Sequence, residues 1–86
     1  MDYDKQSELL RILGHPIRLK IVEGLMKDEC NVNKIIDELR IPQSTVSQHL
    51  GKLKSAGVLV SRKEGTRICY KVANKQVCAI IKIVQG

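Results

Sequence analysis

Residues 42–57 read PQSTVSQHLGKLKSAG and carry the strongest local signal in the chain. Apolar side chains recur there at spacings of four and three, which is the period of one buried helix face. These residues are Val46, Leu50 and Leu53. Pro42 disfavours helical geometry at Ile41, and Gly57 provides a left-handed stop. The pattern therefore predicts a helix over about 43–56.

The opposite side of this predicted helix is polar. At roughly 100° per residue the three apolar positions lie within about 60° of one another, which leaves the rest of the circumference to solvent. The outward positions hold Ser44, Gln48, Lys52 and Ser55, and Gln43 or Ser44 can cap the first turn. Glutamine can form paired hydrogen bonds with adenine, and hydroxyl groups can contact base edges or phosphates. Such a face also occurs in many proteins that bind no nucleic acid, so both interpretations stay open here.

Apolar stripes predict three more helices before this one. The first contains Leu9, Leu10, Ile12 and Leu13 and ends at Gly14. The second opens at Pro16, a favoured residue in a first helical turn. The third spans about two turns from Val32 to Leu39. Residues 30–32 are interpreted as a possible very short strand between the second and third helices.

A β-hairpin and a last helix are predicted after Gly57. Residues 58–60 are apolar, residues 62–67 form a charged tip, and Ile68, Tyr70 and Val72 then alternate with polar side chains. This alternation directs Cys69 outward. Residues 74–85 are apolar around most of a helix, so this last helix needs a covering partner.

The order helix, Pro-containing turn, helix and basic hairpin is the layout of a winged helix-turn-helix. The predicted fold class is α+β and mostly α, with about five helices plus a β-hairpin wing over about 58–72. We expect a single DNA-binding domain over residues 1–86.

The charge of the chain is concentrated in its second half. Fifteen Lys and Arg against nine Asp and Glu give 86 residues a formal charge of +6. Residues 1–40 carry a net −1, whereas residues 41–86 carry +7, with Glu64 as their single acid. Such a split suggests a basic face that binds a polyanion. Nucleic acid is the first candidate for this partner, and an anionic membrane surface is the second. A solvated basic surface is the alternative.

Composition excludes other classes of protein. No run of apolar residues approaches the roughly 18 of a membrane span, and the acidic start does not resemble a signal peptide, so we expect a cytoplasmic protein without a membrane partner. The sequence shows no nucleophile with its base, no glycine-rich phosphate-binding loop and no paired acids. We therefore expect neither an enzyme nor a cofactor. Three irregularly spaced cysteines are typical of free thiols in a reducing compartment.

Three segments in order resemble the ArsR/SmtB family of winged-helix transcriptional repressors. They are residues 13–22 (LGHPIRLKIV), residues 42–50 (PQSTVSQHL) with Leu53, and residues 57–59 (GVL) continuing through residues 62–67 (RKEGTR) to Tyr70. The resemblance implies a homodimer with the first and last helices at its interface. It also implies that the fourth helix reads the major groove of a dyad-symmetric operator and that binding represses transcription.

Two sets of site residues follow from the pattern and the resemblance together. The expected DNA contacts are Gln43, Ser44, Thr45, Ser47, Gln48, His49 and Lys52 on the fourth helix, and Arg62, Lys63, Thr66 and Arg67 on the wing. The expected dimer interface consists of Leu9, Leu10, Leu13, Val77, Ile80, Ile81 and Val84.

The family's usual effector sites are not expected in this chain. Its Cys-Val-Cys metal site aligns with Asn31 and Asn33, and residues 74–86 contain no Asp, His or Glu for its other common site, so we predict no metal. A thiol sensor using Cys30 and Cys78 is one alternative, although Glu23 occupies the family's usual helix-two cysteine position. The predicted strand parity does not favour a bond between Cys30 and Cys69. The other alternative is a protein-interaction module on the same fold.

Overall fold

The computed structural model describes residues 1–85 and contains five helices and one antiparallel hairpin. The elements are α1 (Tyr3–Leu13), α2 (Pro16–Lys27), α3 (Val32–Leu39), α4 (Gln43–Ser55), β1 (Leu59–Glu64), β2 (Arg67–Val72) and α5 (Lys75–Val84). This order confirms the predicted fold class. Among the described residues, no helix combines the length and apolar character that crossing a membrane requires.

The first two helices begin with side-chain caps. The carboxylate of Asp2 accepts a hydrogen bond from the Lys5 backbone N–H, which satisfies a free donor of the first turn of α1. Pro16 opens α2 as predicted, and Nδ1 of His15 accepts from the Ile17 N–H at 3.1 Å. The Gly14 backbone terminates α1 as predicted.

The turn between α3 and α4 is short and tight. Arg40 ends α3 in the left-handed conformation, with φ at 54°. The predicted cap of α4 is wrong, because Pro42 is the cap residue and its carbonyl accepts the N–H groups of Thr45 and Val46 at 3.0 and 3.2 Å. The short strand predicted over 30–32 is also absent, since Val32 already begins α3.

The hairpin turns at Gly65 and Thr66, with Gly65 at a φ of 62°. Its register pairs Leu59 with Val72 at the base and Arg62 with Cys69 farther out. The predicted outward direction of Cys69 is wrong, because this side chain is fully buried while the neighbouring Ile68 is half exposed. The chain before α3 covers Cys69, and sequence alternation within the hairpin carries no information about that distant segment.

One hydrophobic core holds the helices and the base of the hairpin together. Its fully buried members come from α2, α4, β1, α5 and the residue before β1, and include Val22, Leu25, Leu53, Val58, Leu59 and Val77. Three residues predicted at the dimer interface belong to this core: Leu13, Val77 and Ile81 are buried within one chain. The inner faces of α1 and α5 therefore pack on their own chain, and the interface itself stays a prediction.

Candidate nucleic-acid interface

The outer face of α4 is exposed along its length, as the sequence predicted. Its solvent-facing side chains are Gln43, Ser44, Ser47, Gln48, Lys52 and Ser55, while Thr45 and His49 are half-buried at its margin. The opposite face of the helix is buried in the core through Val46, Leu50 and Leu53. The helix therefore presents short hydrogen-bonding groups to solvent from a rigid support.

A polar contact anchors the first half of α4 to α2. Nε of Arg18 donates to Nδ1 of His49 at 3.2 Å, and Nη1 of Arg18 donates to the Ile12 carbonyl at 3.3 Å. The His15 and His49 rings pack against each other with their centres 4.7 Å apart. This cluster orients α4, and local periodicity does not reveal it because its members are far apart in the sequence.

The same cluster sets the protonation of His49. Burial is the largest cause that lowers the pKa of His49 below its ordinary value, followed by the nearby His15. The positive charges of Arg18 and Lys52 lower it further. Because Nδ1 accepts from Arg18, the neutral ring carries its proton on Nε2. His49 is therefore a neutral ring that connects α4 to α2.

Two exposed cations of the wing lie near its turn. Lys63, Thr66 and Arg67 are exposed on either side of Gly65. Arg62 is also exposed but is already paired: its Nη1 lies 2.9 Å from Glu29 Oε1 and its Nε lies 3.0 Å from Glu64 Oε1. These hydrogen bonds, the one to Glu29 first, raise the pKa of Arg62 above its ordinary value. The wing thus offers Lys63 and Arg67 to an anion more readily than Arg62.

The cysteines are arranged differently from the expectation of free thiols. Cys30 and Cys69 form a disulfide, with their Cα atoms 4.2 Å apart. The pairing of Cys30 with Cys78 is therefore not formed, and Cys78 is a free, half-buried thiol whose Sγ lies 4.0 Å from the Val72 carbonyl. Glu23, which occupies the family's helix-two position, accepts a hydrogen bond from Gln85 Nε2 at 3.0 Å.

One cluster within residues 1–85 has the ligand types of a metal site. Sγ of Cys30, Sγ of Cys69 and a carboxylate oxygen of Glu64 all lie within 4.8 Å of one another. Metals bind thiolates, and here the two sulfurs are bonded to each other. In this state the cluster does not provide a thiolate metal site.

The outer faces of α1 and α5 leave apolar side chains exposed. Tyr3, Leu10, Ile83 and Val84 are all more than half exposed. A shallow recess between the two helices is lined by Leu9, Leu10, Ala79 and Ile80, among others. Patches of this kind commonly mark a contact with another protein.

Comparison with known proteins identifies the family. The family model described as "Bacterial regulatory protein, arsR family" matches residues 15–61. The transcriptional repressor PagR of Bacillus anthracis is 45% identical over 85 residues, covering 98% of this chain and 85% of PagR. The crystal structure of PagR aligns with a TM-score of 0.83 over 98% of this chain and 97% of that one.

Two further proteins are similar over nearly the whole chain. An uncharacterized HTH-type transcriptional regulator of Methanocaldococcus jannaschii is 45% identical over 83 residues, covering 95% of this chain and 93% of the relative. The homodimeric winged helix-turn-helix domain Mb0332 of Mycobacterium bovis, a possible ArsR-family regulator, has a TM-score of 0.81 at 31% identity, covering 96% of this chain and 77% of that one. These matches confirm the resemblance carried by residues 13–22, 42–50 and 57–70. The chain belongs to the arsR family of bacterial regulatory proteins and is a winged helix-turn-helix transcriptional regulator.

Proposed function

We propose that the protein is a transcriptional repressor that binds a dyad-symmetric DNA operator as a homodimer. The observation that carries this proposal is the exposed polar face of α4 beside a wing with exposed Lys63 and Arg67. PagR, which is 45% identical, is a transcriptional repressor. The protein acts in the cytoplasm, where the operator lies, and regulates transcription by binding rather than by catalysis.

In this proposal α4 enters the major groove and supplies sequence specificity. Gln48 lies at the centre of the exposed face, where its amide can pair with the N6 and N7 positions of adenine. Ser44, Thr45 and Ser47 lie near the first turn and contact base edges or phosphates. Gln43 and Lys52, at either side of this group, contact the DNA backbone, and His49 can donate from Nε2 to a phosphate.

The wing supplies affinity that does not depend on sequence. Lys63, Thr66 and Arg67 meet the phosphates or the minor groove next to the site of α4. Arg62 contributes less, because a phosphate must compete with the carboxylates of Glu29 and Glu64 for its guanidinium. Arg67→Ala should therefore weaken binding to every duplex, and by more than Arg62→Ala does.

The homodimer forms through the exposed parts of α1 and α5. Leu9, Leu10, Ile80 and Val84 remain from the predicted interface, and Ile83 joins them because it is 77% exposed. Pairing these faces removes apolar surface from water and places two α4 helices on one side of the particle. Half-sites about one DNA turn, or roughly 34–36 Å, apart fit such a dimer.

Selection from a random duplex library tests the proposal. The purified protein should enrich a sequence with two-fold symmetry, and fluorescence anisotropy should show tighter binding to it than to a scrambled duplex. Affinity should also fall steeply as salt rises, because phosphate contacts release counterions. Enrichment of no sequence would contradict the proposal and favour a protein-interaction module. Sedimentation equilibrium of a Leu10→Glu variant, which should be monomeric, tests the dimer separately.

A further inference from the structure

We propose that Cys30 and Cys69 are a reversible thiol–disulfide site, oxidised by a hydroperoxide, and that closing this bond raises the affinity for operator DNA by fixing the wing against α3. This inference rests on the proposed function, because its readout is DNA binding. It assigns the cysteine pair that the sequence did not predict, and it leaves Cys78 outside the site.

The disulfide connects the wing, which meets DNA in the proposal, to the turn that leads into α3. Cys30 lies in the turn just before α3, and Cys69 lies in the middle of β2. The two residues are 39 positions apart, and the chain between them contains α3, α4 and β1. Beside the bond, the Tyr70 N–H donates to the Glu29 carbonyl at 2.8 Å. The bond therefore ties the wing to the start of the helix-turn-helix.

The compartment in which a DNA-binding regulator acts indicates that the bond is reversible. A DNA-binding protein acts in the compartment that holds the DNA, and thiols are kept reduced there. Disulfides in such compartments are usually transient, and they serve catalysis or redox sensing. A purely structural bond between Cys30 and Cys69 would be unusual in that setting.

Charged groups surround the two sulfurs. Oε2 of Glu64 lies 3.6 Å from Sγ of Cys30 and 3.7 Å from Sγ of Cys69, and Nη2 of Arg62 lies 3.9 Å from Sγ of Cys30. In the reduced protein, the Arg62 guanidinium favours the Cys30 thiolate, which is the nucleophilic form, and the Glu64 carboxylate opposes it. The Glu64 carboxylate can accept the proton of the Cys69 thiol.

Exposure distinguishes the roles of the two cysteines. Cys30 is partly open to solvent, whereas Cys69 is fully buried beneath the turn that contains Cys30. An oxidant from solution therefore reaches Cys30 first. Cys69 is the resolving residue, which reacts only after Cys30 has been modified.

The reaction with a hydroperoxide is balanced without any other reagent. The Cys30 thiolate attacks the distal peroxide oxygen, the O–O bond breaks, and the leaving alkoxide or hydroxide takes a proton, which gives Cys30 sulfenic acid and an alcohol or water. Cys69 then transfers its proton to Glu64 and attacks the sulfenic sulfur. The S–O bond breaks, the S–S bond forms, and the departing hydroxide takes the proton back from Glu64 to leave as water. Two thiols are oxidised and one peroxide bond is reduced.

The expected consequence for DNA binding follows from preorganisation. When the bond is open, the outer wing keeps non-covalent contacts with the turn before α3, chiefly the Tyr70 hydrogen bond and the ion pair of Arg62 with Glu29. The bond restricts this motion before DNA arrives, so less freedom is lost on binding. We expect the oxidised protein to bind about fivefold more tightly or better, the lower end of typical coupling between sites.

The experiment uses the whole 86-residue chain and a duplex selected from a random library by the Cys30→Ser variant. Anisotropy is measured on wild type after dithiothreitol and after hydrogen peroxide, and alkylation followed by mass spectrometry identifies the bonded cysteines. The expected result is a Cys30–Cys69 bond after peroxide, at least about fivefold tighter binding, and reversal by dithiothreitol. Cys78→Ser should keep this response and Cys30→Ser, a half-exposed position, should lose it.

Several results would overturn the inference. Equal affinity of the two wild-type states, weaker binding after oxidation, or a bond that includes Cys78 would each do so. A response to Zn²⁺ but not to peroxide in the reduced protein would make the cluster with Glu64 a metal site instead. If the Cys30→Ser variant selects no duplex but folds, as judged by circular dichroism, the proposed function fails first.

Discussion

The helix α4 and the wing bind the same DNA in the proposed function, but they are held in place by different means. The helix buries one face in the core through side chains that lie three and four residues apart. The wing is buried at its base, where Val58 and Leu59 join the core, and at Cys69, which the turn before α3 covers. Its outer part is held by Glu29 and Cys30, which are more than thirty residues away.

Substitutions in the two regions should therefore affect the stability of the domain differently. A change in the buried face of α4 removes core packing and therefore affects the whole domain. A change in the contacts of the outer wing loosens one hairpin and leaves the helices in place. The contrast predicts a graded series of effects on stability.

Leu53→Ala should have the largest effect. Leu53 is fully buried in the last turn of α4, so its truncation removes apolar contacts and leaves a cavity, with a loss of about 2–5 kcal/mol in the free energy of unfolding. Ile68→Ala, at a half-exposed position of the wing, is the matched control and should cost far less. Urea denaturation followed by circular dichroism gives both values, and similar losses for the two variants would contradict the contrast.

Reduction of the Cys30–Cys69 bond should come next. The bond closes a long loop, since its residues are 39 positions apart, and such a bond typically contributes about 2–4 kcal/mol. Urea melts of peroxide-treated wild type with and without dithiothreitol measure this difference. Cys78→Ser should retain it and Cys30→Ser should abolish it. An unchanged midpoint on reduction would show that the bond does not hold the wing.

Substitution by alanine of two glycines, one inside α4 and one just after it, should change stability in opposite directions. Gly57 has a φ of 78°, so Gly57→Ala is strained and should lower the free energy of unfolding by about 1 kcal/mol. Gly51 lies inside the helix with open space around its Cα, so Gly51→Ala should raise it by about 1 kcal/mol. Thermal melts of the two variants test this, and changes of the same sign would contradict the assigned end of the helix.

The smallest effect should be a pH dependence of the free energy of unfolding, caused by His49 where α4 contacts α2. The folded pKa of His49 is lowered, so the unfolded chain binds the proton more readily than the folded one. The neutral His49 ring makes its full contribution to the free energy of unfolding above the ordinary pKa near 6.5. This contribution is lost as the pH falls below that value. His49→Gln keeps a neutral acceptor for Arg18 and should flatten stability between about pH 7 and 5 relative to wild type. If stability depends on pH equally in the variant and in wild type, His49 is not the group that causes this dependence.

The sequence predicted α4 better than the wing for the same physical reason. Local periodicity, Pro42 and Gly57 determine the bounds and the exposed face of the helix, and both were predicted correctly. The direction of Cys69 and the pairing of Arg62 depend on the chain around Glu29, which no local pattern reports. The dimer interface is harder to predict, because apolar residues at helical spacing can also pack on their own core, as Val77 and Ile81 do.

The most direct test of the account is the specificity of Gln48→Ala. Gln48 is exposed and outside the core, so the variant should keep the fold. Anisotropy on the selected duplex and on duplexes substituted at each base pair should show discrimination reduced by about 1–3 kcal/mol at one symmetric position, with little change on random DNA. Equal weakening on the selected and random duplexes would contradict the claim that the exposed face of α4 reads the sequence.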